Sequence, residues 1–118
     1  MNPAPEKLLK TFPNPEPKRA YEIAIESPEF TCVCPMTGNP DFAILRITYS
    51  PAKLCVELKS LKLYLFGFRN LGTFHEAVTN RILDNLVALL HPRTMTIVSD
   101  WNIRGGLHTV VTVRHGAR

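Results

Sequence analysis

The chain has 118 residues, which is enough for one domain with a hydrophobic core and too few for two. Hydrophobic residues make up 45% of it, charged residues 20%, and the formal net charge is +4, without the mixed aromatic and basic runs of a nucleic-acid surface. This mild charge favours a small anionic ligand. No apolar run suits a membrane span or a signal peptide, and the three cysteines follow no disulfide framework, so we expect a cytoplasmic protein with no direct nucleic-acid or membrane partner.

The N-terminal segment is rich in proline. Half of the ten prolines of the chain lie there: Pro3, Pro5, Pro13, Pro15 and Pro17. Proline cannot donate a backbone hydrogen bond, so we expect residues 1–18 to be an irregular or mobile tail and residues 19–118 to form a single domain.

A β-hairpin is predicted over residues 42–57. Residues 42–49 alternate in the pattern of a half-buried strand, and Ala43, Leu45, Ile47 and Tyr49 fall on one face. Residues 50–52 would turn the chain, and residues 54–57 would return as the second strand of the hairpin.

Two helices are predicted next. In residues 58–70 the apolar positions recur at helical spacing, and a cationic flank lies beside them. The apolar positions are Leu58, Leu61, Leu65 and Phe68, and the cations are Lys59, Lys62 and Arg69. After a break at residues 70–72, a second helix begins at Thr73, and an apolar residue recurs at every fourth position until Pro92 ends it.

The last two predicted strands cover residues 94–101 and 107–115, with Gly105 and Gly106 in the loop between them. The order ββααββ predicts an α+β fold, a four-stranded antiparallel sheet with both helices on one face. Such a sheet has open edges, and the segment LHTVVTVRH is a strong β-former that invites pairing with another copy of the chain. We therefore expect a homo-oligomer.

The segment EFTCVCPMTGNPDF holds a thiol and a carboxylate at the two ends of a stiff turn. Prolines follow Cys34 and Asn39, and a residue before proline is restricted to extended backbone. A nucleophile and a proton donor are effective only when they are positioned in advance, so Cys34 and Asp41 are candidate catalytic residues. The alternative is that Cys34 is a small buried hydrophobic residue and Asp41 an ordinary turn residue.

Two further groups of side chains have both a structural and a functional interpretation. Thr73 and Glu76 fit a helix-capping box. A carboxylate at a helix start can also accept the N–H groups of a purine-like ring, and His75 beside it can move protons. Lys59 and Lys62 are either a solvated helix face or a clamp for phosphates.

No metal site is expected. Cys32 and Cys34 are too close together for a zinc knuckle. The four histidines, His75, His91, His108 and His115, have no familiar ligand spacing.

Three stretches together resemble a known enzyme family. They are EFTCVCPMTGNPDFA, CVELKSLKLYLFGFRN, and GTFHEAVTNRILDNLV followed by HPR. The family is that of the NADPH-dependent nitrile reductases, which convert 7-cyano-7-deazaguanine to its aminomethyl product in the synthesis of tRNA queuosine. Residues 57–64 agree with every position of its signature, E-[SL]-K-[SA]-hydrophobic-K-[LY]-[YFW], which separates the reductases from related cyclohydrolases.

The resemblance implies a fold, a cofactor and catalytic residues. The fold is the tunnelling fold (T-fold), whose ββααββ units assemble through their sheets into rings with active sites between subunits. Residues 19–118 would then be a single T-fold catalytic domain that uses NADPH. By position, Cys34 would be the nucleophile that forms a covalent thioimide with the nitrile, and Asp41 would be the proton donor.

The resemblance also implies which residues bind the substrate and the cofactor, and two alternative functions remain beside it. The substrate-binding positions are Val56, Glu57, Leu58, His75 and Glu76, and the cofactor-binding positions are Lys59 and Lys62. A T-fold cyclohydrolase-like enzyme for pterins or purines would share Glu76 but would have no use for the lysine stretch. A non-catalytic ring-forming binding module is the second alternative.

Overall fold

The structure is a computed structural model that describes residues 5–116. In chain order the elements are a 3₁₀ helix (Pro5–Leu8), β1 (Thr11–Pro13), β2 (Ile23–Val33), β3 (Pro40–Ser50), β4 (Leu54–Val56), α1 (Leu58–Phe66), α2 (His75–Leu90), β5 (Thr94–Trp101) and β6 (Val110–His115). Four strands form an antiparallel sheet in the spatial order β2-β3-β5-β6, and β1 pairs with β4 in a second, smaller sheet. The predicted α+β class is confirmed, and so is the order ββααββ for the four strands of the larger sheet and the two helices; β1 and β4 are additional short strands.

The first hairpin differs from the predicted one. β3 pairs with β2 along almost its whole length, with a bulge between Ser27 and Phe30. β4 pairs with β1 instead of returning along β3, and Cys55 lies opposite Phe12. The prediction of a hairpin over residues 42–57 is therefore wrong. It missed β2 because Pro28 interrupts the strand pattern, and a proline is tolerated within a strand at a bulge or a sheet edge.

Part of the proline-rich N-terminal segment is ordered, so the expectation of an irregular tail is wrong for the 3₁₀ helix and for β1; residues 1–4 lie outside the described residues. Asn14 fastens this segment to the rest of the chain. Its side chain accepts hydrogen bonds from the Tyr21 hydroxyl at 2.5 Å and the Glu16 N–H at 2.9 Å. It donates to the Ala52 carbonyl at 2.8 Å.

The hydrophobic core lies between the helices and the four-stranded sheet. The inward face predicted for the strand over residues 42–49 is confirmed, since Ala43, Leu45, Ile47 and Tyr49 are at most 2% exposed. The predicted stripe of the second helix is buried from Val78 to Leu90, whereas Phe74 before it is 55% exposed. In α1, Leu58 departs from the predicted apolar stripe because it is 61% exposed.

Both helices are shorter than predicted. α1 ends at Phe66, where Gly67 caps it, and residues 67–70 continue as turns. α2 begins at His75 and ends at Leu90, followed by His91 in a left-handed conformation with a φ of 46° and then by Pro92. Within residues 5–116, neither helix combines the length and the apolar composition needed to span a membrane.

Candidate active site

The turn between β2 and β3 holds Cys34 and leads into Asp41. The Cys34 N–H donates to the Asn39 carbonyl at 2.8 Å, and the Gly38 N–H donates to the Cys34 carbonyl at 2.8 Å. Gly38 has a φ of +75°, a conformation that glycine adopts without the steric cost of a side chain. The stiff segment predicted from its prolines is thus a hydrogen-bonded hairpin turn with Cys34 at its first position.

Cys34 and Cys32 are two positions apart, but the pKa values of their thiols are shifted in opposite directions. The Thr37 hydroxyl, and then the backbone of Met36 and Thr37, donate hydrogen bonds that lower the pKa of the Cys34 thiol. Burial raises the pKa of Cys32 to about 12, with smaller contributions from Asp41 and Cys34. Cys34 is therefore poised to act as a thiolate, whereas Cys32 stays a thiol within the core.

Asp41 is buried and held from both sides of its carboxylate. Its side chain is 7% exposed. Oδ2 lies 3.2 Å from Nε2 of His75, and Oδ1 accepts a hydrogen bond from the Arg104 guanidinium. A buried carboxylate needs such charged or hydrogen-bonding partners to offset the loss of water. The three side chains therefore form one connected group.

The segment before α2 brings His75 to the hairpin turn. The Val33 N–H donates to the Leu71 carbonyl and the Thr73 N–H donates to the Val33 carbonyl, both at 3.0 Å. Because α2 begins directly after this contact, its first turn lies beside the thiol and the carboxylate. Together they enclose a cavity of about 260 Å³. The polar and aromatic residues that line it are Cys34, Asp41, Thr73, Phe74, His75, Glu76 and Arg104.

The capping box predicted for Thr73 and Glu76 is wrong. α2 is capped at Phe74 with no side-chain hydrogen bond, and the Thr73 hydroxyl donates to the Phe74 carbonyl at 3.3 Å. The helix begins later than predicted, so neither residue stands at the spacing that a capping box requires. Within residues 5–116 the Glu76 carboxylate has no hydrogen-bond or ion-pair partner, and it lines the cavity, so it is available to a ligand.

Residues 56–58, which were predicted to line the same pocket, lie away from the Cys34 cavity in the structure. Glu57 is the N-cap of α1, and its carboxylate accepts the N–H groups of Lys59 at 2.8 Å and Ser60 at 2.9 Å. Val56 is buried at 3% exposure, and Leu58 is exposed. None of Val56, Glu57 and Leu58 lines the Cys34 cavity of its own chain.

A second cavity, of about 490 Å³, lies between α1 and the bulge of β2. Leu58, Lys62, Phe66 and Arg69 line it from the helical side, and the Arg69 guanidinium carbon lies 4.5 Å from the centroid of the Phe66 ring. Lys59 is exposed on the same helix and lines neither cavity. In one copy of the chain, the predicted cofactor lysines and the predicted thiol site are therefore at separate places.

Arg104 is a site residue that the sequence analysis missed. It lies in the loop between β5 and β6, before Gly105 and Gly106, and no motif marks it. Its place in the site follows from its tertiary contact with Asp41. Among residues 5–116, no group of three or more His, Cys, Asp or Glu side chains is arranged to hold a metal ion.

The fold and the cavity define a class: small α+β proteins that hold a cysteine of lowered pKa and a buried carboxylate in one cavity. Residues 40–118 match the family described as QueF-like protein. The chain is 68% identical to the NADPH-dependent 7-cyano-7-deazaguanine reductase of Anaeromyxobacter sp. (strain K), over 97% of this chain and 93% of that relative. It is 53% identical to the reductase of the same name from Halorhodospira halophila, over the full length of both. The chain belongs to the family of NADPH-dependent 7-cyano-7-deazaguanine reductases.

A solved structure supports the fold independently. The apo form of the archaeosine synthase QueF-Like superposes with a TM-score of 0.72 at 16% identity, over 84% of this chain and 95% of that one. At that identity the likeness concerns the fold alone. The tunnelling fold that the sequence resemblance implied is confirmed.

Proposed function

We propose that the chain reduces the nitrile of 7-cyano-7-deazaguanine to the aminomethyl group of 7-aminomethyl-7-deazaguanine, through a covalent thioimide on Cys34. The observation that carries this proposal is the cavity in which a thiol of lowered pKa lies with Asp41 and His75. Family membership supports the same reaction, since the relatives are named for it.

Cys34 is the residue that bonds to the substrate. Its lowered pKa increases the fraction of thiolate near neutral pH, and the thiolate is the nucleophilic form. Its sulfur adds to the nitrile carbon while a proton is delivered to the nitrile nitrogen, which gives a neutral thioimide. A thioimide accepts hydride more readily than a nitrile does. After the first hydride and a proton have been added, the sulfur of Cys34 leaves as a thiol and a free imine remains. A second hydride and a proton convert the imine to the amine.

Asp41 and His75 supply that proton. The 3.2 Å separation of Asp41 Oδ2 and His75 Nε2 is within reach of direct proton transfer. A proton that Asp41 gives to the nitrile nitrogen can therefore be restored through His75. Arg104 binds the other carboxylate oxygen and stabilises the charge that Asp41 acquires when it has lost its proton.

Glu76 binds the ring of the substrate. Its carboxylate lines the cavity without a partner among residues 5–116, and a carboxylate accepts two N–H groups of a guanine-like edge. His75 lies beside it in the first turn of α2, so the residue that recognises the ring and the residue that handles the proton share one helix end.

The cofactor NADPH supplies hydride, and the cationic side of α1 fits its phosphates. Lys62 and Arg69 line the larger cavity, and Lys59 is exposed nearby on the same helix. Ammonium and guanidinium groups are the usual partners of phosphate oxygens. Lys59 and Lys62 are accordingly the residues proposed to hold NADPH.

A neighbouring subunit completes the site in this proposal. Val56, Glu57 and Leu58 are substrate-binding positions of the family that lie outside the Cys34 cavity of their own chain, so a second copy must bring its own stretch to that cavity. The open edges of the sheet provide for such a ring. We propose that the enzyme takes part in queuosine synthesis. We also propose that it is located in the cytoplasm, where a reducing environment keeps its three free cysteines as thiols.

The covalent step is tested without the cofactor. The protein is mixed with 7-cyano-7-deazaguanine in the absence of NADPH, and the peptides are analysed by mass spectrometry. We expect the mass of one substrate molecule on the peptide that carries Cys34. The adduct should be absent from Cys34→Ala and present in Cys32→Ala, the matched control that removes the neighbouring buried thiol.

The reaction is tested by the absorbance of NADPH. Consumption of about two NADPH for each nitrile, lost in Cys34→Ala, is the expected result, because a nitrile takes up two hydrides to become an amine. Turnover without NADPH would instead identify a cyclohydrolase-like enzyme. Tight binding of the compound with neither adduct nor turnover would identify a binding module.

A further inference from the structure

Three buried residues, Trp101, Ser99 and Thr79, form a polar unit beneath the candidate active site. Trp101 is 2% exposed, and Ser99 and Thr79 are both 0% exposed. A hydroxyl group is costly to bury unless it is hydrogen-bonded, and alanine or valine would fill the two hydroxyl positions without that cost. The bonds that these hydroxyls make therefore indicate what the unit is for.

The proton count gives these bonds a direction. Thr79 Oγ1 donates its single proton to the His75 carbonyl at 2.7 Å. Ser99 Oγ, 2.6 Å from Thr79 Oγ1, must then be the donor of the bond between the two hydroxyls. The Trp101 indole N–H, which can only donate, gives its proton to Ser99 Oγ at 2.9 Å. The chain of hydrogen bonds thus runs one way, from the indole to the backbone of His75.

The same indole also holds the side chain of His75. The two rings are stacked, with 3.8 Å between their centroids and 4° between their planes. His75 is thus fixed at its carbonyl through two hydroxyl groups and at its imidazole through the face of Trp101. In this position its Nε2 lies 3.2 Å from Oδ2 of Asp41.

We propose that Trp101 is a positioning residue for proton transfer, and that it acts through its ring stack and through Ser99 and Thr79 to hold the imidazole of His75 toward Asp41. This inference rests on the proposed function, in which His75 restores the proton of Asp41. Trp101 acts through His75 and need not touch the substrate. This arrangement connects β5 to the first turn of α2, where proton transfer requires a fixed distance between His75 and Asp41.

The contact is tested without any turnover. Trp101 is the only tryptophan of the chain, so its fluorescence reports on its immediate surroundings. A protonated imidazole in contact with an indole quenches its emission, so we expect the emission to fall on acidification. His75→Asn should abolish this change. Cys34→Ala, Asp41→Asn and Glu76→Gln, which remove the other titratable groups of the cavity beside the permanently charged Arg104, should retain it. A change that persists in His75→Asn overturns the proposal.

The effect on the reaction is tested with Trp101→Leu and Trp101→Phe. The leucine variant loses both the stack and the indole hydrogen bond to Ser99. Its kcat should fall by about 100-fold with a much smaller change in KM, since misplacement by about 1 Å has an effect of that size. Phenylalanine keeps a ring under His75 and should restore part of kcat. If the leucine variant does not fold, Trp101→Phe combined with Ser99→Ala and Thr79→Val removes the whole chain without leaving a buried hydroxyl unpaired, and its kcat should lie below that of Trp101→Phe alone.

A double-mutant cycle separates this inference from the proposed function. In the His75→Asn background, Trp101→Leu should lower kcat little further, because its effect passes through the missing imidazole. Independent, multiplying effects of the two substitutions overturn the positioning role while the reaction itself stands. Absence of NADPH consumption in the wild type would overturn the proposed function, and the fluorescence test would still decide whether Trp101 holds His75.

Discussion

The three cysteines differ by their surroundings at the residue scale. Cys32 and Cys55 are buried, at 0% and 2% exposure, whereas Cys34 is partly exposed in the hairpin turn. The hydrogen bond from Thr37 is the largest cause that lowers the pKa of Cys34, and burial is the largest cause that raises that of Cys32. Reactivity of a cysteine follows the fraction of accessible thiolate, so we expect Cys34 to be the reactive cysteine.

We predict that iodoacetamide labels Cys34 before Cys32 and Cys55 in the folded protein. Because its pKa is lowered, the labelling rate of Cys34 should level off at a lower pH than that of a free cysteine. Thr37→Val should move this profile toward higher pH, whereas Thr37→Ser should preserve it. Peptide mass spectrometry across a pH series measures the rates, and equal labelling of Cys32 and Cys34 at neutral pH would contradict the prediction.

From the raised pKa of Cys32 we predict that the protein loses stability in alkaline solution. Its pKa is raised from 9.0 to about 12 in the folded protein, so the folded state keeps a proton that the unfolded chain releases. The free energy of unfolding should therefore be unaffected by this group below pH 9.0 and should fall as the pH rises toward about 12. Urea unfolding at a series of alkaline pH values should give a shallower decline for Cys32→Ala, which has no thiol to ionise.

At the scale of elements, the N-terminal segment acts as part of the folded unit. β1 pairs with β4, and Asn14 makes hydrogen bonds to three partners at 5% exposure. Gly67 accommodates the same segment, because a Cβ at that position would lie 3.1 Å from Cβ of Pro5. The segment thus covers the end of α1, next to the cationic stretch proposed to bind NADPH.

We predict that Asn14→Ala lowers the free energy of unfolding by about 2 kcal/mol, because it removes the three hydrogen bonds that the Asn14 side chain makes. Asn70→Ala is the matched control, since this exposed asparagine makes no side-chain hydrogen bond to another of the described residues. The control should stay within about 0.5 kcal/mol of the wild type. Urea unfolding measures both, and equal effects of the two substitutions would show that Asn14 does not fasten the segment.

On the scale of the whole molecule, β2 and β6 are the edges of the four-stranded sheet. The backbone N–H of Trp101 donates to the Thr109 carbonyl at 3.0 Å. With the register of the two strands, this bond shows which residues of β6 are hydrogen-bonded to β5. Since backbone groups alternate in an antiparallel pair, Val111 and Val113 bond toward β5, whereas Thr112 presents its N–H and C=O outward. The outward backbone groups of β6 form the sheet edge that we propose to pair with another copy of the chain.

We predict that Thr112→Pro dissociates the proposed ring while the subunit stays folded. Proline removes an outward N–H without removing a bond of the β5–β6 ladder. Thr112→Ala keeps the N–H and should assemble like the wild type. Sedimentation measures the assembly and circular dichroism the fold. A Thr112→Pro protein that sediments like the wild type would place the contact elsewhere.

Local sequence patterns were sufficient for most of the elements of this fold. Alternation located the inward face of β3, and the repeat at every fourth residue located α2. The predicted bounds 94–101 coincide with those of β5. β2 was not predicted, because Pro28 breaks its pattern, and β4 was predicted to pair with the wrong strand. A strand pattern states which face is buried but does not state which strand lies beside it.

Of the candidate site, the sequence by itself determined the chemical groups and the stiffness of the turn that holds Cys34 ahead of Asp41. It also determined the family, through a continuous signature in residues 57–64. Only the tertiary structure decided that Arg104 and His75 hold Asp41 and that Trp101 lies under His75. These contacts join residues far apart in the chain, and they depend on how the helices and strands pack, which no local pattern encodes.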